Sequence, residues 1–307
     1  MGKVYILVNR KAGTVRDRGP GLVAGQLRAA ADEVGWDAEI EMLHPASIAP
    51  RIEQLARKRP APRAIIVGGG DGTLSTAAGL LAGKKTALGV LPLGTMNLFA
   101  RAHGVPLDPI AAIKALAVSK PGAIDLLDIN GHTVLQHATL GLMATVIRIR
   151  ESLPYSSRIR RLANGVVAWV KAVRRPRALR VTARSKGMNI SRSASAMLIS
   201  NNRLPEEIGA TPVARDMTRG EIGVYICTSR RRADVIRLTL AASLGVWRNT
   251  TLVEEFVVGE LDVETSRSPV RLVIDGELVR LTSPLKCCLR RKSLRLLAPG
   301  DAKGNKN

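Results

Sequence analysis

Along the first third of the chain, apolar residues gather in short unbroken runs separated by helical periodicities. Val4–Val8, Ala64–Val67 and Ala87–Leu91 read as strands buried on both faces, and Trp36–Met42 as another strand. Leu22, Val23, Leu27 and Ala31 recur at helical spacing within a predicted helix over Gly19–Val34. Further helices are predicted over Ile48–Lys58, which Pro60 and Pro62 end, over Leu74–Leu81, after Pro92 and Gly94, and over Asp108–Val118 with Pro109 at a starting position. Strands that alternate with helices predict a parallel sheet covered on both faces.

Near Ala123 the texture changes to short β-rich runs: Val134–Thr139, Leu179–Ala183, Ala194–Ser200, Ile222–Thr228, Phe256–Val258, Val270–Ile274, Leu278–Thr282 and Leu285–Arg290. Turn pairs such as Asn130-Gly131 and Asp275-Gly276 separate some of them, which predicts an antiparallel sandwich. One helical segment, Ser156–Arg175, interrupts the series. The expected fold class is therefore α/β plus all-β. Residues 1–123 form an α/β domain with a parallel sheet, residues 124–299 an antiparallel β-sandwich domain, and residues 300–307 a polar, disordered tail.

Composition narrows the partners. The 307 residues carry a formal net charge of +22, which favours an anionic partner such as a nucleotide, a nucleic acid or an acidic membrane. Aromatic residues are only 3% of the chain, too few for the stacking platforms of single-strand binders. The three cysteines lack C-x-x-C spacing and fit a reducing cytosol. The opening apolar run is too short for a signal-peptide core. No run reaches the roughly 18 apolar residues of a membrane span, so any contact with a bilayer is expected at its surface.

Three stretches carry candidate chemistry. Gly69, Gly70, Asp71, Gly72 and Thr73 follow a strand and open a helix, where unpaired amides and the helix dipole favour phosphate. The alternative is a tight turn with Asp71 as a helix cap. Gly94, Thr95, Met96 and Asn97 repeat the strand–turn–helix design, and two such loops on neighbouring strand ends form one crevice. Downstream, Asp275-Gly276-Glu277 sits between two strands, where Asp-Gly by itself is a favoured hairpin turn. No G-x-x-x-x-G-K-[ST] pattern occurs, so an ordinary P-loop is excluded. The four histidines show no metal-ligand spacing and read as structural.

Taken in order, these pieces resemble the diacylglycerol kinase-like lipid kinase family. The family pattern stands here as Gly69–Thr73, Gly94–Asn97, Ile124-Asp125-Leu126 and Asp275-Gly276-Glu277, and Asn9 to Gly13 is similar to its first phosphate loop, with Arg10 in place of a proline. The resemblance runs from Lys3 to about Pro299. It implies an ATP- and Mg2+-dependent kinase with ATP in a cleft between the two domains. In that scheme Asp275 is the general base toward a lipid hydroxyl and Glu277 assists it. Asp71 and Asp125 organise the magnesium–water network, and Thr73 and Thr95 touch ATP, with Asn9, Gly13, Gly69, Gly70, Gly72, Gly94 and Asn97 completing the nucleotide site. The acceptor is diacylglycerol or a related lipid alcohol: a sphingoid base, a ceramide or phosphatidylglycerol.

Two departures stand out. Leu98 follows Asn97 where many members have aspartate, and Arg219 stands where many bacterial members place an aspartate that holds a structural magnesium. Arg219 can itself replace the ion's charge; Asp216 and Glu221 are the neighbouring acids that a metal would use otherwise, and the preceding stretch keeps Pro212 and Ala214 but lacks the family's glycine run.

A kinase of this kind works in the cytoplasm, peripheral at the inner face of the membrane. Ile159, Leu162, Val166, Val170 and Val173 form an apolar stripe on Ser156–Arg175 that either packs on the sandwich, leaving its arginines to solvent or anionic lipid, or lies in an anionic membrane interface, and Ser229–Asp234 is a second basic cluster. Two alternatives remain open: a soluble NAD kinase-like enzyme, against which the Asp-Gly-Glu hairpin and the surface charge argue, and a basic nucleic-acid-binding protein. Nucleic acid is not an expected partner, because the chain lacks aromatic interleaving and any zinc or helix-turn-helix pattern.

Overall fold

The structure is a computed structural model that describes residues 2–151, 158–174, 178–205, 213–229 and 231–299. It divides into two compact units: residues up to Leu126 together with those from Arg290 onward, and Leu127–Leu289. The sandwich expected over 124–299 therefore ends earlier, and the chain returns to its first unit. The expectations for the tail 300–307, for Ser156 and Arg175, for Arg230 in the basic cluster and for Pro212 lie outside the described residues.

In the first unit β1 (Val4–Asn9) is followed by α1 (Gly13–Arg18), α2 (Pro20–Glu33), β2 (Ala38–Leu43), α3 (Pro45–Ala56), β3 (Ala64–Gly69), α4 (Asp71–Leu81), β4 (Ala87–Pro92), α5 (Leu98–Ala102) and α6 (Pro109–Ala117). The strands pair in the order β2-β1-β3-β4, all parallel. Their continuous apolar runs are buried because helices cover both faces. The helix predicted over Gly19–Val34 is α2, and Gly19 at φ 89° separates it from the short α1, which answers to no predicted element. α6 starts at Pro109, not Asp108, because the Asp108 carboxylate caps it, accepting from the Ile110 and Ala111 amides. β3 runs through Gly69 and α4 begins at Asp71, so the glycines form a strand end and an N-cap rather than a long loop.

The strand β5 (Pro121–Ile129) leads into the second unit. There follow β6 (His132–Val134), β7 (His137–Gly141), α7 (Leu142–Glu151), α8 (Arg158–Arg174), β8 (Leu179–Ser185), β9 (Met188–Ala194), β10 (Ala196–Asn201), β11 (Ile222–Cys227), α9 (Arg232–Ser243), β12 (Val253–Val258), β13 (Glu260–Thr265), β14 (Val270–Ile274), β15 (Glu277–Leu281) and β16 (Leu285–Leu297). One antiparallel sheet has the order β12-β11-β10-β7-β14-β15, and β16, β13, β8 and β9 follow one another in a second. Ile199, Val224 and Leu272 of the first share one apolar core with Val181, Val263 and Leu285 of the second. The end of β16 returns to the first unit, where Leu296 pairs in parallel with Leu88 of β4.

The β-rich half differs from expectation in several respects, and β9 and β13 answer to no predicted strand. Three helices interrupt it among the described residues, not one: α7 and α9 are apolar on more than one side, and their pattern lacks a single stripe. The predicted strand Val134–Thr139 is two strands, broken at Leu135 and Gln136. The expected stripe of α8 is rotated: Val173 is buried with Ala168 and Ala172, whereas Val170 is exposed. Side chains at positions 159, 162 and 166 lie outside the described residues. Among the described residues no helix is long and apolar enough to cross a membrane.

A polar clasp fixes the entry to β12. Glu255 accepts from Arg203 Nε at 2.9 Å and from Arg248 Nη2 at 2.7 Å. Arg248 also donates to the carbonyls of Leu204 and Pro205 and lies over the Trp247 ring. Burial acts to raise the Glu255 pKa, but the two guanidinium groups outweigh it and hold the carboxyl below its ordinary value. A depressed folded-state pKa adds stability above the unfolded value and loses it as pH falls through the folded one. Glu255→Gln should therefore lower the unfolding free energy by roughly 1 kcal/mol at pH 7. In urea titrations the gap from wild type should close below pH 4.5, the ordinary glutamate value. A gap that persists at low pH contradicts this assignment.

Candidate active site

The first unit gathers its candidate residues at the carboxyl ends of β1, β3 and β4, which are consecutive in the sheet. Asn9 ends β1; its Nδ2 donates to Thr73 Oγ1 at 3.5 Å, and its Oδ1 accepts from the Lys11 amide. The Thr14 amide donates to the Leu93 carbonyl, tying the first loop to the third. Leu93 in turn donates to the Gly69 carbonyl. Asn9, Gly13, Gly69–Thr73 and Gly94–Asn97 thus form one cluster, as parallel strands with neighbouring ends require.

The glycines serve different ends. A Cβ on Gly94 would lie 2.5 Å from the Gly70 Cα, so these two loops pack backbone against backbone. A Cβ on Gly68 or Gly69 would meet Leu93 Cδ1 at 2.8 Å or Thr73 Cβ at 2.9 Å. Gly70 is different: its added Cβ meets nothing closer than 3.8 Å, and its φ of −91° suits any residue. Gly13 is similarly roomy, with 3.8 Å to Thr95 Oγ1. Packing inside the protein thus accounts for glycine at 68, 69 and 94 but not at 70 or 13.

Asp71 is the first residue of α4, whose N-cap is Gly70, and it reaches to another helix. Its carboxylate accepts from the amides of Leu98 at 3.2 Å and Phe99 at 3.1 Å, the first turn of α5. A carboxylate opposite those unpaired N–H groups satisfies them and complements the helix dipole. Asn97, in the left-handed region at φ 48°, closes its own loop: Oδ1 accepts from the Gly94 amide at 2.9 Å, and Nδ2 donates to the Gly94 carbonyl at 3.0 Å. Asp125 on β5 is fully buried and accepts from the Lys292 amide on β16 at 2.7 Å.

Asp275 and Glu277 belong to the second unit. Asp275 and Gly276 both have positive φ, at 46° and 92°, and form the two-residue turn between β14 and β15. Turn chemistry alone does not explain where the side chain goes. The buried Asp275 carboxylate accepts from three main-chain amides: Leu135 at 2.7 Å, Gln136 at 2.8 Å and His137 at 3.2 Å. Those amides lie where β6 breaks into β7. Glu277, one residue beyond the turn, is exposed.

Asn201 completes this arrangement and escaped the sequence analysis. It is fully buried; its Nδ2 donates to the Leu135 carbonyl and its amide to the Gln136 carbonyl. The peptide groups that hold Asp275 are therefore themselves held, and a network this fully bonded fixes one geometry. The available signal was the polar pair Asn201-Asn202 directly after the apolar run of β10.

Asp216 does not fit a metal site. Arg219 Nε donates to its Oδ2 at 2.8 Å, and the Thr218 amide and hydroxyl bond its Oδ1. Burial acts to raise the Asp216 pKa, but Arg219 and Thr218 prevail and hold it low. The Glu221 amide donates to Asn202. Among the described residues no group of three or more His, Cys, Asp or Glu side chains is placed to hold a metal ion. The Arg219 guanidinium thus lies against the carboxylate of Asp216, one of the two acids considered for a metal.

The packing generates a paired prediction. Gly94→Ala forces the Gly70 backbone to move and should cost roughly 1–3 kcal/mol of stability in urea unfolding. Gly70→Ala should stay within about 0.5 kcal/mol of wild type. Equal losses would mean that both glycines serve packing alone.

Comparison with known proteins places this geometry. Residues 3–129 match the family model of the diacylglycerol kinase catalytic domain. A protein of Pseudomonas syringae pv. tomato named "Probable lipid kinase YegS-like" is 42% identical over 116 residues, which is 36% of this chain and 37% of that protein. A protein of the same name from Pseudomonas fluorescens is 42% identical over 126 residues, 39% of this chain and 42% of that protein. These matches therefore span well under half of the curated relatives' length. A crystal structure of a diacylglycerol kinase from Bacillus anthracis str. Sterne superposes with a TM-score of 0.69 over 97% of each chain. A second structure from the same strain, of a "putative diacylglycerol kinase", reaches 0.78 over 97% of this chain and 95% of that one. At 18% and 19% identity these two likenesses speak for the fold, which extends over nearly the whole chain. The match to the diacylglycerol kinase catalytic-domain family takes in the loops Gly69–Thr73 and Gly94–Asn97.

Proposed function

We propose that the chain is an ATP-dependent lipid kinase that phosphorylates the hydroxyl of diacylglycerol or a related lipid alcohol. The observation that carries this reading is the family match over residues 3–129, which covers the loop cluster with its roomy Gly70 and Gly13. In this reading the γ-phosphate end of ATP lies against the Gly70 and Gly13 backbones, where a Cβ would intrude. The α4 N-terminus supplies amides and a favourable dipole there. Thr73 and Thr95 offer hydroxyls to the nucleotide, and Asn9 holds Thr73 in place. Mg2+ bound with the nucleotide supplies neutralisation of phosphate charge. Asp71 is the acidic side chain of the loop cluster and Asp125 the buried acid of the same unit. They act on the metal's water shell while keeping the main-chain bonds described above.

Asp275 is the proposed base. The lipid oxygen attacks the γ-phosphorus, its proton passes to the Asp275 carboxylate, the bond to the β-phosphate oxygen breaks, and ADP leaves. Three amides fix the direction of that carboxylate, and phosphoryl transfer depends mainly on such positioning. Glu277 assists from the adjoining strand.

The test is transfer of labelled γ-phosphate from MgATP into a panel of lipids in mixed micelles. Diacylglycerol, a sphingoid base, ceramide or phosphatidylglycerol should be labelled by wild type, and Asp275→Asn should reduce the rate by at least about a hundredfold with nucleotide affinity retained. Gly70→Ala should weaken ATP binding at unchanged stability. An Asp275→Asn enzyme of wild-type rate removes Asp275 as the base, and phosphorylation of NAD in place of every lipid overturns the acceptor class.

A further inference from the structure

Helix α9 is apolar on two opposite sides. Its inner side packs into the second unit: Val235 and Ala241 are buried, and Leu238 and Ala242 lie against Tyr225 and Trp247. Its outer side exposes Ile236 (41%), Leu240 (60%) and Leu244 (68%). These follow one another at i, i+4 and i+8, and the Leu244 amide still bonds the Leu240 carbonyl, so the stripe runs unbroken to the helix end. With about 3.6 residues per turn, Arg232 falls on one edge of this stripe and Arg237 on the other. Both arginines are exposed, as is Arg231 at the N-cap. The nearby acid, Asp234, is engaged by the Ser229 hydroxyl. Helix α8 packs beside α9 and exposes Val167, Val170, Lys171 and Arg174.

A lone exposed leucine needs no explanation, but an ordered apolar stripe with guanidinium borders does. Two copies of this chain docked through α9 would oppose like charges along both edges, on proteins of formal net charge +22 each. A nucleic acid would leave the apolar centre without a partner. An anionic lipid surface satisfies every part: acyl chains take the three apolar side chains, and headgroup phosphates take the arginines.

We infer that the outer face of α9, with Ile236, Leu240 and Leu244 between Arg232 and Arg237, is a docking surface for an anionic lipid bilayer. The inference deepens the lipid-kinase reading and rests on it for its purpose, though the binding itself requires no catalysis. Because the apolar residues occupy both sides of the helix, this surface is invisible to a search for a single amphipathic stripe.

The test is sedimentation of the full chain, without nucleotide, with vesicles of phosphatidylcholine alone or with phosphatidylglycerol added. Wild type should bind the mixed vesicles and not the neutral ones, and binding should weaken with salt. Leu240→Ser combined with Leu244→Ser should reduce that binding roughly tenfold or more. Arg232→Gln and Arg237→Gln should each reduce it roughly fivefold. The substituted side chains are exposed, so the thermal midpoint should not move. Phosphorylation of a short-chain, water-soluble diacylglycerol should stay at the wild-type rate. Vesicle binding that is equal in wild type and the double variant overturns the inference. So does a wild-type dimer that the double variant converts to monomer with no loss of vesicle binding. Loss of binding in the variant supports it even where no lipid is phosphorylated, a result that would count against the lipid-kinase reading alone.

Discussion

A carboxylate that accepts main-chain N–H groups from a remote segment fixes two pieces of backbone at once. The chain uses this device at each of its three motif aspartates. Asp71 holds the start of α5, Asp125 holds β16 at Lys292, and Asp275 holds the break between β6 and β7. Each bond joins a charged acceptor to a main-chain amide, so each is stronger than an average neutral hydrogen bond. The loop cluster of the first unit and the hairpin turn of the second depend on these bonds for their shape. The proposed chemistry then follows from geometry already held in place, as phosphoryl transfer demands.

Much of this was legible in the sequence, and the limits are physical. The parallel strands declared themselves because burial on both faces leaves continuous apolar runs. The loops declared themselves through glycine, although only the coordinates separate Gly94, excluded from bearing a Cβ by Gly70, from Gly70 itself. Asp71 and Asp275 stood out as acids, but their partners are 27 and 140 residues away, beyond any local pattern. The return of β16 beside β4 and the buried bonds of Asn201 are long-range in the same sense. Helix α9 escaped because apolar residues on two faces cancel the periodicity that reveals a one-sided helix.

The charge of the chain also resolves into distinct local uses. Arg248 and Arg203 neutralise one half-buried glutamate and clasp the segment before β12. Arg219 neutralises Asp216. Arg232 and Arg237 are exposed, and they border exposed apolar side chains. A high positive charge is thus partly structural and partly an outward-facing surface, and only placement distinguishes the two.

Amide hydrogen exchange on Asp275→Asn tests the central claim most directly, because asparagine keeps the shape but turns an N–H group toward one of the donors. The amides of Leu135, Gln136 and His137 should exchange faster by roughly tenfold or more, the scale of a lost charge-assisted bond. Those of Leu98 and Phe99, held by Asp71, should keep their protection. Unchanged protection at residues 135–137 would contradict the claim that the motif aspartate holds this backbone in place.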